Sequence, residues 1–189
     1  MILFVGLGNP GKAYENTRHN IGFKVIDQLI DDLGARDISK NSFHGELSRI
    51  SQTLFLKPTT FMNLSGKSLQ VVKHFFKVEL ADIVVIHDDI DLPFGAVRFK
   101  RGGGHGGHNG LKSIDGAIGK EYLRVRVGVG KPAYKSQVAD YVLHDFSEEE
   151  LTKLTLLIRH VAKASVALSR EELNTVKSHY SLKSIESLG

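Results

Sequence analysis

Ile2-Leu-Phe-Val-Gly-Leu-Gly-Asn-Pro-Gly11 is the stretch on which the architecture turns. Its first part, Ile2–Leu7, is a short apolar run suited to a buried strand. Its second part, from Gly6 to Gly11, spells G-x-G-x-x-G, the dinucleotide-binding pattern. That pattern works only if a helix opens inside it and offers its N-terminus to a pyrophosphate. Here Pro10 and the polar, aperiodic stretch Lys12–Asn20 follow, and no second strand ends in an acidic residue at the required distance. The strand stands; the dinucleotide site does not. Ser65-Gly-Lys-Ser68 is a second false match, because a P-loop needs glycine at position 61, which is Phe61.

Outward from β-rich Ile2–Leu7, helical and strand patterns alternate, which argues α/β architecture. From Asn20, the residues Ile21, Val25, Ile26, Leu29, Ile30 and Leu33 recur at helical spacing, with Asn20 as N-cap and Gly34 as stop. Phe43–Ile50 and Thr53–Lys57 read as neighbouring strands, the second ended by Pro58. Leu64–Phe76 is helical, with Leu69, Val72 and Phe76 on one face. Asp82–His87 holds a buried Ile-Val-Val-Ile strand, while Ala96–Arg101 and Leu123–Val129 alternate as strands do. Leu111–Ile118 is a short helix between them. After Lys131-Pro132 the pattern is wholly helical, through Val138–Leu143, Glu148–Leu168 and Arg170–His179. The sequence predicts a single α/β domain over residues 1–189. It has a twisted, mostly parallel (mixed) central sheet, helices on both faces and a helical C-terminal portion.

Composition narrows the class. Of 189 residues, 41% are apolar and 24% charged, the balance of an ordinary globular domain. There is no cysteine, which excludes a disulfide framework, a thiolate nucleophile and a Cys-based zinc site. The opening apolar run lacks a basic leader and is broken by Gly6 and Gly8, so it reads as a strand rather than a signal peptide. No apolar run reaches membrane-spanning length. A cytoplasmic protein without a membrane partner is expected. The net charge of +4 is compatible with a nucleic-acid partner but does not establish one.

Gly102-Gly-Gly-His-Gly-Gly-His-Asn-Gly110 carries the strongest functional signal. Each glycine would weaken a packed helix or strand, so the stretch makes sense where backbone must approach a ligand closely. Arg98, Lys100 and Arg101 precede it, pointing to a phosphate-bearing partner. The plainer reading, a mobile linker, fits poorly because linkers mix glycine with serine and carry no paired histidines. His105-x-x-His108 is a poor metal pair, since flanking glycines do not hold two imidazoles rigidly.

Other loops also follow predicted strands: Asn9 after the first, Phe61-Met62-Asn63 after the run ending near Lys57, Asp88 after Ile83–His87, and Asn109 with the glycine loop. If the strands are mostly parallel, these three amides and one carboxylate converge beyond the strands' carboxyl ends, where His19 can join them. With no cysteine and no G-x-S-x-G elbow, a covalent nucleophile has no candidate. Histidine suits activation of water, a carboxylate fixes its tautomer, and asparagine amides can donate to a developing oxyanion. His19, Asp88 and the asparagines therefore suit metal-free hydrolysis of an ester. Against this, His19 could be a surface or capping residue. Asp88, Asp89 and Asp91 could form a polar turn closed by Pro93, or a magnesium site. Phe61 and Met62 read as core, and Tyr14 as exposed.

Gly6-Leu-Gly-Asn-Pro-Gly11, Thr17-Arg-His-Asn-x-Gly22, Pro58-Thr-Thr-Phe-Met-Asn-x-Ser65, His87-Asp-Asp-Ile-Asp-Leu-Pro93 and Gly102–Gly110 together resemble bacterial peptidyl-tRNA hydrolase. The motifs occur in the family's order across most of the first 130 residues. The resemblance implies a monomeric, cofactor-free and metal-free enzyme that cleaves the ester between a peptide and the tRNA 3′ end, recycling tRNA from abandoned translation. It implies His19 as base, Asp88 as its support, Asn9 as a sensor of the blocked amino group, and Asn63 and Asn109 as substrate-positioning amides. Tyr14 and Phe61 match contacts to the tRNA 3′ end or peptide. Lys100 and Arg126 match basic positions for tRNA phosphate, and His108, a candidate for a structural or a substrate- or tRNA-contact role, adjoins a matched amide that it can order. Asp89 stands where the family often has glutamate. A nucleotide- or RNA-binding module, and a nucleoside or amino-acid hydrolase on the same kind of sheet, are the competing classes.

Overall fold

A computed structural model describes residues 1–188. The strands are β1 (Ile2–Gly6), β2 (Arg36–Asp37), β3 (Gly45–Ile50), β4 (Thr53–Pro58), β5 (Ile83–Asp89), β6 (Val97–Arg101) and β7 (Leu123–Gly128). The helices are α1 (Ile21–Leu33), α2 (Ser65–Phe76), α3 (Asn109–Ile118), α4 (Val138–Val142), α5 (Glu148–Leu168) and α6 (Leu173–Tyr180). Among the described residues the strands form one seven-stranded sheet in the order β2-β3-β4-β1-β5-β7-β6. The four central strands, β4, β1, β5 and β7, run parallel. The expected single α/β domain with a mixed, centrally parallel sheet is what the chain forms.

Alternation along the central strands feeds two cores. Phe4, Phe55, Val84 and Ile86 pack on one face beneath α1, α5 and α6, while Leu3, Val5, Leu56 and Val85 pack on the other beneath α2 and α3. Because both faces are covered, these strands read as unbroken apolar runs. Gly34 ends α1 in the left-handed conformation, as its position predicts. Ser147 and Glu150 form a reciprocal capping box that starts α5. No helix of the described residues is long and apolar enough to cross a membrane.

Four features depart from, or add to, what the sequence predicts. Phe43 belongs to a 3-10 turn rather than to β3, and its carbonyl accepts from the Ser68 hydroxyl at 2.7 Å. The two-residue strand β2 is too short to show a period in the sequence. Asn20 precedes α1 but its side chain does not cap it. A 3-10 turn, Arg18–Asn20, leads into the helix instead, and the Asn20 side chain serves another partner. Fourth, β6 is antiparallel to β7, with Arg101 beside Leu123 and Val97 beside Val127. Its carboxyl terminus therefore lies at the opposite end of the sheet from those of β1, β4, β5 and β7. The glycine loop has to run back along the sheet, and positive φ at Gly102, Gly103, Gly106 and Gly107 lets it do so. On the outer side of β6, Leu182 exchanges both backbone hydrogen bonds with Val97, at 2.9 and 3.1 Å.

Glycines also set how closely α1 seats on the sheet. A Cβ on Gly22 would lie 2.4 Å from the Ile86 carbonyl oxygen, and one on Gly6 would lie 2.2 Å from the Gly22 carbonyl oxygen. Backbone rests directly on backbone, which brings the turn carrying His19 against the end of β5. Gly22→Ala should therefore push α1 off the sheet at a cost of about 1–3 kcal/mol. It should also lower activity by more than that loss of stability accounts for. Denaturant midpoints and turnover measured on the same preparation check both effects.

Candidate active site

Asp88 lies near the end of β5, its side chain almost wholly buried. Both carboxylate oxygens are used. Oδ2 is 2.8 Å from His19 Nδ1, and Oδ1 is 2.8 Å from His108 Nε2. His108 is the N-cap of α3, and its Nδ1 accepts from the backbone N–H groups of Gly110 and Leu111 at 3.1 and 3.3 Å. A nitrogen that accepts two N–H bonds carries no proton, so the bonding pattern assigns the His108 proton to Nε2, which donates to Asp88. The same logic gives His19 an Nδ1–H donated to Asp88 and leaves its Nε2 as the available base. The two rings lie 4.9 Å apart between centroids.

The charges follow from this arrangement. Burial disfavours ionised Asp88, but the two histidines and their hydrogen bonds outweigh it and hold the carboxyl well below the usual carboxylate range. Burial pulls His19 down, yet the Asp88 carboxylate and its hydrogen bond prevail, so His19 stands above its ordinary value. His87 differs. Its Nδ1–H donates to the Asp88 carbonyl at 2.8 Å, while its Nε2 is buried without a partner among the described residues. Burial, followed by the adjacent His108, pushes His87 down to about 4.

A second group of residues is tied to His19 through its neighbour Asn20. The Asn20 side chain accepts from the Asn9 N–H and donates to the Asn9 carbonyl, both at 2.9 Å. Asn9 Oδ1 in turn accepts from the Met62 N–H at 2.7 Å. That bond forces the amide orientation and leaves the Nδ2 donor of Asn9 without a protein partner among the described residues. Phe61, just before Met62, is 51% exposed and holds φ +64° and ψ 156°, a region that L side chains rarely occupy. Tyr14 meets it edge-on, with ring centroids 6.3 Å apart. Asn63 is exposed beside them.

A cavity of about 470 Å³ opens on the other flank of His19. Asp88, Lys100, His108, Asn109 and Arg126 line it with the glycine loop and α4. The expected convergence of all the asparagines on one pocket is thus only partly met. His19, Asp88, His108, Asn109, Lys100 and Arg126 share the cavity, whereas Asn9, Tyr14, Phe61 and Asn63 form the adjoining rim. Phe61 is exposed rather than core, while Met62 is buried. Arg126 is held by Asp89, its Nε 2.7 Å from the carboxylate, so its charge is partly matched within the protein.

Two residues of structural weight, Arg18 and Arg124, are not among the site residues the sequence predicts. Arg18 reaches across to the α4–α5 segment, donating to the Tyr141 carbonyl and to Glu150, each at 3.1 Å. Arg124 is buried beneath the glycine loop. A charged residue inside an apolar strand pattern is the signal for Arg124; for Arg18 the sequence offers only its place in the Thr17–Gly22 motif.

The family model of peptidyl-tRNA hydrolase matches residues 3–187. The chain belongs to this family. It is 76% identical over 188 residues to the peptidyl-tRNA hydrolase of Sulfurovum sp. (strain NBC37-1), covering 100% of both chains. It is 52% identical over 183 residues to that of Aliarcobacter butzleri (strain RM4018), covering 97% of this chain and 100% of the relative. The crystal structure of peptidyl-tRNA hydrolase from Acinetobacter baumannii matches with a TM-score of 0.92 at 34% identity, over 98% of this chain and 96% of that one. Peptidyl-tRNA hydrolases act on ester bonds, and this chain is a hydrolase of that class.

The buried histidines give stability a dependence on pH with opposite signs. His87, depressed in the fold, stays neutral while the unfolded chain takes up a proton. Stability present above its ordinary value of 6.5 is therefore lost as pH falls toward about 4. The loss is on the order of 3 kcal/mol at most. His19, raised in the fold, contributes stability present below its ordinary value, which fades as pH rises through the folded one. Replacing His87 by Gln, which keeps a donor for the Asp88 carbonyl, should flatten the denaturation midpoint between pH 6.5 and 4. An equally steep curve in the variant places the titrating group elsewhere.

Proposed function

We propose that this enzyme hydrolyses the ester between the peptide and the tRNA 3′ end in peptidyl-tRNA, with water activated by His19 and with Asp88 as its support. The family assignment supports the substrate. The observation that carries the mechanism is the hydrogen bond from His19 Nδ1 to buried Asp88, which leaves Nε2 as base. Water bound at Nε2 gives up a proton to it, and the resulting hydroxide attacks the ester carbonyl carbon. The tetrahedral intermediate collapses by breaking the bond to the ribose oxygen, which takes the proton back from His19. A free peptide carboxyl and a tRNA with a free hydroxyl leave, and the tRNA is recycled. Asp88 orients the imidazole and stabilises the imidazolium that forms on the way.

The remaining residues divide the substrate between them. The free Asn9 amide donor suits the substrate carbonyl or the developing oxyanion next to the blocked amino group. Asn63 and Asn109 position the ester from the rim and the cavity. Tyr14 and Phe61 offer aromatic faces to an unpaired 3′-terminal base. Lys100 and Arg126 meet phosphate oxygens, which positions RNA without reading sequence. His108 has both ring nitrogens occupied, so it holds Asp88 and starts α3 rather than touching RNA or serving as an alternative base. The enzyme acts as a cytoplasmic monomer in this reading.

His19, Asp88 and His108 bring ligand atoms within 4.8 Å of one another, a grouping able to take a cation. The facing atoms are already hydrogen-bonded together, and the mechanism asks nothing further of them. Exhaustive chelation should leave the hydrolysis rate unchanged. Loss of activity restored by a divalent ion would turn the cluster into a metal site.

The decisive variant is His19→Ala. Removing a general base typically costs about 10²–10⁴ in rate, so kcat should fall at least that far while tRNA affinity stays near wild type. Asp88→Asn should be milder and should move the acidic limb of the pH–rate profile downward, since a neutral neighbour no longer favours protonated His19. Substantial turnover by His19→Ala with normal binding contradicts the mechanism.

A further inference from the structure

Glycines offer no side chains with which to hold a loop, yet this one ends in His108, which supports Asp88, and Asn109, and both line the cavity. Within it, His105 supplies two bonds, accepting from the Gly107 N–H at its Nδ1 and from the His108 N–H at its carbonyl, each at 3.0 Å. The carbonyls of Gly103 and Gly104 face inward to a different partner. Arg124, on β7 and 3% exposed, donates through Nη2 to Gly103 O at 2.9 Å and through Nη1 to Gly104 O. Its guanidinium lies 5.0 Å over the Tyr122 ring, and Asp115 of α3 is 3.4 Å from Nη2. The Tyr122 hydroxyl donates to the same Asp115 carboxylate at 2.6 Å.

From this we infer that Arg124 is the positioning residue of the glycine loop for the reaction proposed above. A planar fork of donors can hold two successive carbonyls at a fixed spacing. Tyr122 and Asp115 keep the fork itself in place. The loop then leaves Gly104 in a set direction and delivers His108 and Asn109 to the N-terminus of α3. Arg124 sits in the wall of the cavity yet acts from beneath the loop: both terminal nitrogens are committed to protein oxygens, its Nε is buried, and the residue is only 3% exposed. It is therefore a cation that RNA does not touch. This separates it from Lys100, which is exposed at the same cavity.

Arg124→Met, similar in length but without donors, tests the inference by three readouts. KM for peptidyl-tRNA should rise about 10–100-fold, the usual weight of bonds to a charged group, with kcat changing less. The salt dependence of binding should keep its slope, whereas Lys100→Ala, which removes a phosphate contact, should flatten it. Amide hydrogen exchange at Gly107 and His108 should quicken while α1 and β1 remain protected. Arg124→Lys, which keeps the charge without the fork, should raise KM in the same direction, and carries the test if the methionine variant does not fold.

Wild-type KM in either folded variant, unchanged exchange at the loop, or a flattened salt slope in Arg124→Met overturns the inference; the last makes Arg124 a direct RNA contact. Wild-type protein inactive on peptidyl-tRNA would instead sink the proposed function. The exchange measurement would still decide whether Arg124 pins the loop.

Discussion

A carboxylate with almost no contact with water is the constraint around which the site is organised. Desolvating Asp88 is costly unless both oxygens find strong partners, and each finds an imidazole. The partners come from distant parts of the chain, His19 from the turn before α1 and His108 from the N-cap of α3. Satisfying one buried charge therefore fixes two helices relative to β5. The α3 amides add a further condition, because they decide which His108 nitrogen can donate. A helix N-terminus usually attracts anions; here it sets a tautomer, and through that tautomer the carboxylate.

The backbone contacts around this pair are as demanding as the hydrogen bonds. α1 can bring His19 to Asp88 because Gly6 and Gly22 let helix and sheet touch through main-chain atoms. The Asn9–Asn20 clasp then joins the loop after β1 to the same turn and passes the constraint on to Met62. Phe61 holds its unusual backbone conformation beside that link. Strain at an exposed aromatic is tolerable where the neighbouring residue is anchored by a buried amide. The rim with Tyr14 and Phe61 and the cavity with Lys100 are thus two flanks of one rigid centre.

Much of this was legible in the sequence, for physical reasons. Apolar periodicity marked α1, α2 and α5, and unbroken apolar runs marked the central strands, because burial on one or both faces leaves that imprint. His19 and Asp88 could be named from chemistry and motif together. What failed were features set by tertiary contacts. Strand direction leaves no trace in composition, so antiparallel β6 and the returning path of the glycine loop were invisible. Asn20 looks like a helix cap in one dimension, and only in three does its side chain meet Asn9. The pairing of Arg126 with Asp89, and the commitment of His108 to Asp88, likewise depend on the register of β5, β7 and α3.

The antiparallel edge has one more consequence. An edge strand exposes unpaired N–H and C=O groups that can template pairing with another chain. In β6 this hazard is met by a segment far along the sequence: Leu182 exchanges bonds with Val97, and Arg98 donates to the Leu182 carbonyl. The stretch after α6 is therefore a guard for the open side of the sheet as well as a continuation of the helical portion. Its detachment would uncover an adhesive border along β6, so colloidal solubility depends on a few residues far from that strand in sequence.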